Sequence, residues 1–417
     1  MSLVLKNAEI VDSASIHHGS KEDILIEKGV IKKIGKNLTA KKEFDCTGLK
    51  VSVGWFDLRV QSLDPGYEHR ETFSTLLKSA ALGGVTGVGT LPNSNPSVDT
   101  KDVLEYVISK TKLDIVDVYP YASLTKKNKG EELVEMLDLK NAGAAAFSDG
   151  ENNIWHTGIL LKSLQYLQKV DGVIISKVFD KYLAKDGLVN EGVNSTLNGL
   201  KGIPALAETV AIQKVLEVLA YAGGKFHFSC ISTKESVQLI KEAKKSGLKV
   251  TCDIAAHQIA FDDSVIGEFD TNYKVNPPFR NKEDIKALQK GLKEGVIDCC
   301  VSDHTPHDTE SKQLEFDLAE FGIIGVQTMY PILNTFSKLS TEEIVEKITR
   351  IPRLILGVSC PKIEEESIAN LTIFDDSKEW ELEEKMIVSK SKNTPFIGKL
   401  LKGRAVAIFN KGEFRTV

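Results

Sequence analysis

Residues 51–72 read VSVGWFDLRVQSLDPGYEHRET, and the fold turns on how that stretch is read. An apolar, β-branched run leads into Asp57-Leu58-Arg59-Val60-Gln61, then into a Gly/Pro turn, then into charges. A parallel strand covered on both faces is a near-continuous apolar run, and polar residues gather where it opens into a loop. The stretch is therefore expected to be a buried strand that delivers polar side chains to one end of a sheet.

Working outward, similar runs recur at 84–91, 115–124, 142–148, 172–179, 224–232, 249–257 and 298–304. Between them lie segments with helical spacing, such as ETFSTLLKSAALGG, EELVEMLDLKNAG, AETVAIQKVLEVLAYAGG, TKESVQLIKEAKKSG and NKEDIKALQKGLKEG. Several end in glycine, where a left-handed cap is expected, and Thr233 before Glu235 has the form of an N-cap with an acidic first turn. Eight strands alternating with helices over roughly 250 residues predict an α/β fold of the (β/α)8 barrel type. A doubly wound open sheet is the alternative, but no GxGxxG follows the first strand.

Both ends of the chain read differently. LVLKNAEIV, EDILIEKG and GVIKKIG near the start are short and strand-like, as are ANLTIFD, MIVSKS and GRAVAIFNKGEFRTV near the end. Glu27-Lys28-Gly29-Val30 and Asn410-Lys411-Gly412 suit hairpin turns. The expected division is a small composite β-sandwich domain from 1–50 and 360–417, with the barrel over 51–359.

The barrel has a corollary: chemistry belongs at the C-terminal ends of its strands. Those ends carry Arg59 and Gln61, Asn93, Asp149, Lys177, Cys230, His257, and then Asp303, His304 and His307. Core filling does not explain such a set, because unpaired polar groups are costly to bury.

Composition narrows the function classes. Over 417 residues the chain is 42% hydrophobic and 27% charged, with a net charge of -5. No basic signature points to nucleic acid, and runs such as Lys126-Lys127-Asn128-Lys129 read as solvated faces. No apolar run is long enough for a bilayer and no basic leader opens the chain, so a cytoplasmic protein is expected. The six cysteines, Cys46, Cys230, Cys252, Cys299, Cys300 and Cys360, form no CxxC pairs, which removes a disulfide framework or zinc knuckle. They are expected to be buried small hydrophobes.

Several segments together resemble the dihydroorotases of the amidohydrolase superfamily. GGVTGVGTLPNSNPSVDT (83–100), AAAFSDG (144–150), FHFSCISTKESVQLIKEAK (226–244) and YKVNPPFRNKEDIKALQKGLKEGVIDCCVSDHTPH (273–307) carry the likeness, with GIIGVQT (322–328) and SKSKNTPFIGKLLKGRAVAIFNKG (389–412) behind them. The resemblance implies a barrel whose histidines and carboxylates hold zinc, which activates water for attack on a cyclic amide, with Asp303 at the proton-handling position. It also implies substrate contacts at Asn93, Asn276 and His307, and Asp149 at a metal-bridging position.

The likeness is incomplete where the metal would sit. The first histidine pair falls on Arg59 and Gln61, and the next two histidine positions fall on Lys177 and Cys230. The arginine expected to grip a substrate carboxylate falls on Leu63. Arginine and protonated lysine offer no lone pair, and glutamine is a poor zinc ligand. Asp149, Cys230 and Asp303 remain as candidate ligands, a poor divalent set beside two cations, so no metal is expected. Arg59 and Lys177 are expected instead to replace the metal's charge by pairing with Asp149 and Asp303.

Each of these residues also has a plain structural reading. Asp303 and His304 can satisfy the loop after the eighth strand, and His257 can be a packed histidine. Cys230 can be a buried thiol, since no histidine stands ready to activate it. His156 and His227 carry no constellation. The functional expectation is a dihydroorotase-family protein of pyrimidine biosynthesis, catalytically silent or strongly impaired, acting as a structural partner of aspartate transcarbamoylase. The alternatives are an active dihydroorotase or related cyclic-amide hydrolase with a rearranged or single-metal site, and a small-molecule binder without turnover. A homodimer is the expected assembly.

Overall fold

The computed structural model describes residues 2–417. The run 51–60, expected as one strand, is two. Lys50–Val53 pairs with Ser2–Val11 and with Leu371–Glu381 in a sheet built from both chain ends. After Gly54 the chain enters Trp55–Val60, which pairs in parallel with Val85–Thr90. The opening stretch therefore stitches the terminal sheet to the barrel, and its unbroken apolar character reflects burial in two different sheets.

The barrel strands are all parallel. Trp55–Val60, Val85–Thr90 and Asp117–Pro120 form one arc, and Ile174–Ser176, Phe226–Phe228, Val250–Ala255 and Cys299–Val301 form the other. Phe147 bridges to Ala122 on one side and to Ile174 on the other, and Val60 bridges to His304, which closes the ring. The run 142–148, expected as a strand, supplies only this bridged position, because Gly143 and the small alanines leave little side chain to pack along it. Phe56, Leu58, Leu91, Tyr121, Ile175 and Val301 fill the interior. A larger apolar layer lies between the strands and the surrounding helices.

Thr233 caps its helix as expected, and two further caps stand beside it. Thr72 caps Phe73–Leu82, Thr233 caps Lys234–Lys245 by accepting from Ser236 N, and Asn281 caps Lys282–Lys293. EELVEMLDLKNAG yields only the short helix Met136–Asn141. Each barrel helix presents an apolar stripe to the strands, and that burial rather than propensity holds it in place.

The terminal sheet has eight strands. Its two hairpins turn at Lys28-Gly29 and Lys411-Gly412, where both central residues have positive φ, the geometry that matches strand twist. Residues 386–391, expected as a strand, are irregular. They cross to the turn after the first barrel strand, where Ser389 Oγ donates to Glu71 Oε2 and Lys390 Nζ donates to Glu68 O at 2.6 Å. No helix among the described residues is long and apolar enough to cross a membrane.

Candidate functional site at the barrel mouth

Arg59, Lys177 and Asp303 end three separate barrel strands, and closure of the ring brings them together. Arg59 Nε donates to Asp303 Oδ1 at 2.8 Å, and Lys177 Nζ donates to Asp303 Oδ2 at 3.0 Å. Asp303, at φ 52, takes the left-handed conformation that turns its carboxylate back over the mouth. A second carboxylate completes the group. Glu151 accepts from Arg59 Nη2 at 2.5 Å and from Lys177 Nζ at 3.1 Å. Gln61 Nε2 donates to Glu151 Oε1 and to Thr305 Oγ1, both at 3.1 Å. Lys177 spends its remaining hydrogen on the Asn276 carbonyl at 2.7 Å, so its three donors are all used.

The expected pairing is thereby corrected in one member. Asp303 pairs with both cations, but Asp149 pairs with neither. Its Oδ1 accepts from Leu124 N at 2.9 Å and Thr125 N at 2.8 Å, and its Oδ2 accepts from Thr125 Oγ1 at 2.6 Å. Asp149 braces the loop after the third strand, and Glu151, two residues on, reaches the cations instead. Sequence reasoning passed over Glu151 because it lies beyond the strand end, in a turn. The cue was AAAFSDGE itself: Gly150 stands at φ 65, and a Cβ there would meet Asn93 Oδ1 at 1.6 Å. Only glycine lets the chain pass so closely and bring the next carboxylate over the mouth.

The electrostatics are those of a closed ion quartet. Burial works to raise the Asp303 carboxyl, but Lys177 and then Arg59 outweigh it and hold its pKa below the usual value. Burial also works to neutralise Lys177, and Asp303 and Glu151 together keep it above its ordinary value. Arg59 is fully buried and stays charged for the same reason. Cys230 lies beside the group, and burial, then Asp303 and Asp253, push its thiol well above its ordinary range. Burial lowers His257 to about 4, so this histidine is neutral, and its Nε2 has no partner.

A zinc ion of the kind the resemblance implies does not fit these residues. Two ligand positions carry fixed positive charge, a third carries an amide, and the fourth a protonated thiol. Asp303 is engaged by the cations and Asp149 by the Thr125 loop. A divalent cation would meet Arg59 and Lys177 head-on with no thiolate or imidazole pair to receive it.

The mouth is divided around the quartet. On one side a cleft of about 360 Å³ is lined by Lys177, Cys230, Asn276 and Arg280 among others. On the other a cleft of about 580 Å³ is lined by Gln61, Leu63, Arg70 and Asn93 among others. Of the three expected substrate contacts, Asn93 and Asn276 thus face different clefts. His307 faces neither. Its Nε2 lies 2.8 Å from the Phe321 carbonyl, and its ring nitrogen Nδ1 contacts Arg70 Nη2.

The remaining histidines find structural work. His304 lies between Glu71 Oε2 at 3.4 Å and the backbone N–H of Gly325 at 3.2 Å. His156 caps the helix Thr157–Leu167 by accepting from Gly158 N and Ile159 N. His227 does have a constellation, contrary to the sequence reading. It bonds Asp253 at 2.8 Å and Thr251 at 2.8 Å inside the barrel, with Cys299 close by. Asp253 also accepts from Ser229 Oγ at 3.0 Å and Cys230 N at 2.6 Å, so the cluster is a satisfied polar brace below the mouth.

A closed parallel barrel with its charged groups at the strand C-terminal ends is the (β/α)8 architecture, and comparison with solved structures agrees. L-hydantoinase (dihydropyrimidinase) from Arthrobacter aurescens matches with a TM-score of 0.86, covering 100% of this chain and 97% of its own, at 23% identity. D-hydantoinase (dihydropyrimidinase) from Thermus sp. matches with a TM-score of 0.84, covering 100% and 96%, at 20% identity. At these identities the likeness is one of fold. Residues 49–236 match the dihydro-orotase-like family model. The dihydroorotase of Thermoanaerobacter sp. (strain X514) is 38% identical over 422 aligned residues, covering 100% of this chain and 97% of that protein. That of Geobacter sp. (strain M21) is 36% identical over 420, covering 99% of each. The chain belongs to the dihydroorotase family.

Proposed function

We propose that this chain is a dihydroorotase-family protein whose barrel mouth does not carry out metal-dependent hydrolysis. The family's amidohydrolase role in pyrimidine biosynthesis supplies the context, because relatives covering the whole chain at 34% to 38% identity are named dihydroorotases. The observation that carries the reading is the quartet of Arg59, Lys177, Asp303 and Glu151. Its members Arg59, Lys177 and Asp303 stand at positions to which the resemblance assigns metal-site residues, and the group compensates its own charge. An aspartate held ionised by two cations has little basicity left for moving a proton from water.

The test combines metal analysis with an assay of dihydroorotate and carbamoyl-aspartate interconversion. Protein purified with zinc present and then desalted is expected to hold well under one zinc per chain and to match the uncatalysed rate. Bound zinc near one per chain with turnover, both lost on Asp303→Ala, would establish the rearranged-site hydrolase instead. The resemblance also carries the proposal of a scaffold role beside an aspartate transcarbamoylase. Co-elution of the purified pair on a sizing column would support it, and separate elution would remove it.

A further inference from the structure

Away from the mouth, a cleft of about 220 Å³ lies where the barrel meets the terminal sheet. Leu82, at the end of the helix Phe73–Leu82, forms one wall, and Pro331 on the helix Met329–Phe336 forms another. Trp380 from Leu371–Glu381 and Arg404 from Leu400–Asn410 close it from the sheet side, and Met386, just beyond the sheet, completes it. None of its residues lines either mouth cleft. Its walls are held in place. Trp380 Nε1 donates to the Gly403 carbonyl at 2.9 Å, which fixes the indole. Gln327, also in the lining, donates from Nε2 to the Met386 carbonyl at 2.7 Å and accepts from Val388 N at 3.3 Å. The cleft is therefore formed before any ligand arrives.

Two of these side chains have no partner of their own kind in the fold. The aromatic clusters among the described residues gather around Trp55, Phe261 and Trp155, and none includes Trp380. Arg404 is half-buried, and its cross-strand neighbour is Asp375. That carboxylate is spent on the bend beside it: Asp375 Oδ1 accepts from Ser377 N at 2.8 Å, Ser377 Oγ at 2.7 Å and Lys378 N at 3.0 Å. The next acid, Asp376, lies 3.7 Å from Lys50 Nζ. Arg404 is left without an ion pair among the described residues, at the edge of a cleft whose other walls are mostly apolar.

We propose that this junction cleft binds a single-ring aromatic carboxylate, its ring against Trp380 and Met386 and its charge on Arg404. Aromatic rings pack on an indole in offset or edge arrangements, and a thioether makes favourable contacts with a ring edge. A guanidinium takes a carboxylate through two parallel hydrogen bonds. Size sets the limit. Drug-sized ligands fill pockets of about 300–1,000 Å³, so a cleft of about 220 Å³ takes one ring and a short side chain. An aliphatic acid would forgo the ring contacts, and a neutral arene would forgo the pair with Arg404.

This site is independent of the reading of the mouth, and it is measured as binding. Titration calorimetry on the full chain with 3-phenylpropionate is expected to give saturable binding, with a change in tryptophan emission at the same midpoint. Arg404→Met is expected to weaken binding by at least about tenfold, and Arg404→Lys by less, since lysine keeps the charge but not the fork. Trp380→Phe should keep calorimetric binding within severalfold while removing the emission change. Hexanoate, which has no ring, and 3-phenylpropionamide, which has no charge, are each expected to bind several-fold more weakly. Arg70→Met should leave binding unchanged, which separates this cleft from the mouth. Absence of saturable binding, an Arg404→Met protein that binds as tightly as the parent, hexanoate binding as tightly as 3-phenylpropionate, or loss of binding on Arg70→Met would each overturn the proposal. Circular dichroism of the Arg404 variants separates loss of the grip from loss of the fold.

Discussion

Arg59 and Arg70 belong to one strand-and-turn segment, yet the structure treats them in opposite ways. Arg59 is wholly buried, shares two carboxylates with Lys177, and stays charged because of them. Arg70 is half-buried and contacts the ring of His307 with no carboxylate in hydrogen-bond reach, although each guanidinium keeps one buried N–H without a partner, Nη1 on Arg59 and Nε on Arg70. A buried guanidinium with its own counter-ions is architecture, since desolvation has already been offset inside the fold. In this barrel mouth Arg59 and Lys177 compensate Asp303 and Glu151, while Arg70 has no carboxylate in hydrogen-bond reach.

The largest expected effect breaks the Arg59 half of that comparison. Asp303→Ala leaves two buried cations with Glu151 as their one remaining carboxylate. Loss of one partner from a buried pair costs about 3–5 kcal/mol. Urea denaturation should show a loss of that size, against a change of less than about 1 kcal/mol for Arg70→Met. Equal losses for both variants would erase the distinction between the two arginines.

Glu151→Gln should cost less. The Glu151 side chain is 31% exposed and keeps an acceptor after the change, so a loss of roughly 1–2 kcal/mol is expected. Asp303 sharpens the pH picture. The Asp303 pKa is lower in the folded chain than its ordinary value, so its contribution is present above the ordinary carboxylate range. It is lost as pH falls through the depressed folded value. Acid unfolding of Asp303→Asn should therefore be less steep at its low-pH end than that of the parent.

Asp57, beneath the quartet, has the reverse sign. Burial raises it to about 7, with one oxygen accepting from Arg59 N at 3.1 Å and Ser302 N at 3.2 Å and the other unpartnered. The unfolded chain ionises this group near its ordinary value of 3.8 while the folded chain still holds the proton. Asp57 therefore subtracts stability progressively as pH rises from that value to about 7. Denaturation midpoints of Asp57→Asn measured across that window should rise relative to the parent as pH increases. A constant offset between the two proteins would remove the assignment.

The smallest effect concerns salt. The screening length shrinks from about 10 Å at 0.1 M salt to about 3 Å at 1 M, and a buried pair feels this far less than an open cleft. The stability difference between the parent and Asp303→Ala should stay nearly constant as salt rises, and a difference that shrinks severalfold would contradict a closed quartet.

The alternation of apolar runs with helical segments, the cap at Thr233 and the two hairpin turns were all legible in the chain. Each is a local matter of periodicity or backbone chemistry within a few residues. The departures at Arg59, Gln61, Leu63, Lys177 and Cys230 were legible too, because side-chain type decides what can donate a lone pair. Less local features were not. The split of 51–60 between two sheets depends on the terminal strands that pair with Lys50–Val53, and both sheets demand the same apolar residues. The reduction of 142–148 to a bridge at Phe147 depends on both neighbouring strands.

The sequence by itself thus determined the barrel and the family, and it put Arg59, Gln61, Lys177 and Cys230 at the positions where the resemblance expects histidines. The tertiary structure decided which carboxylates answer the two cations: Glu151 rather than Asp149, because Asp149 is drawn into the Thr125 loop and Gly150 lets the next residue pass over the mouth. It also decided that Arg70 has no such answer. Charge compensation is a property of distances between residues far apart in the chain, and those distances exist only after the ring of strands has closed.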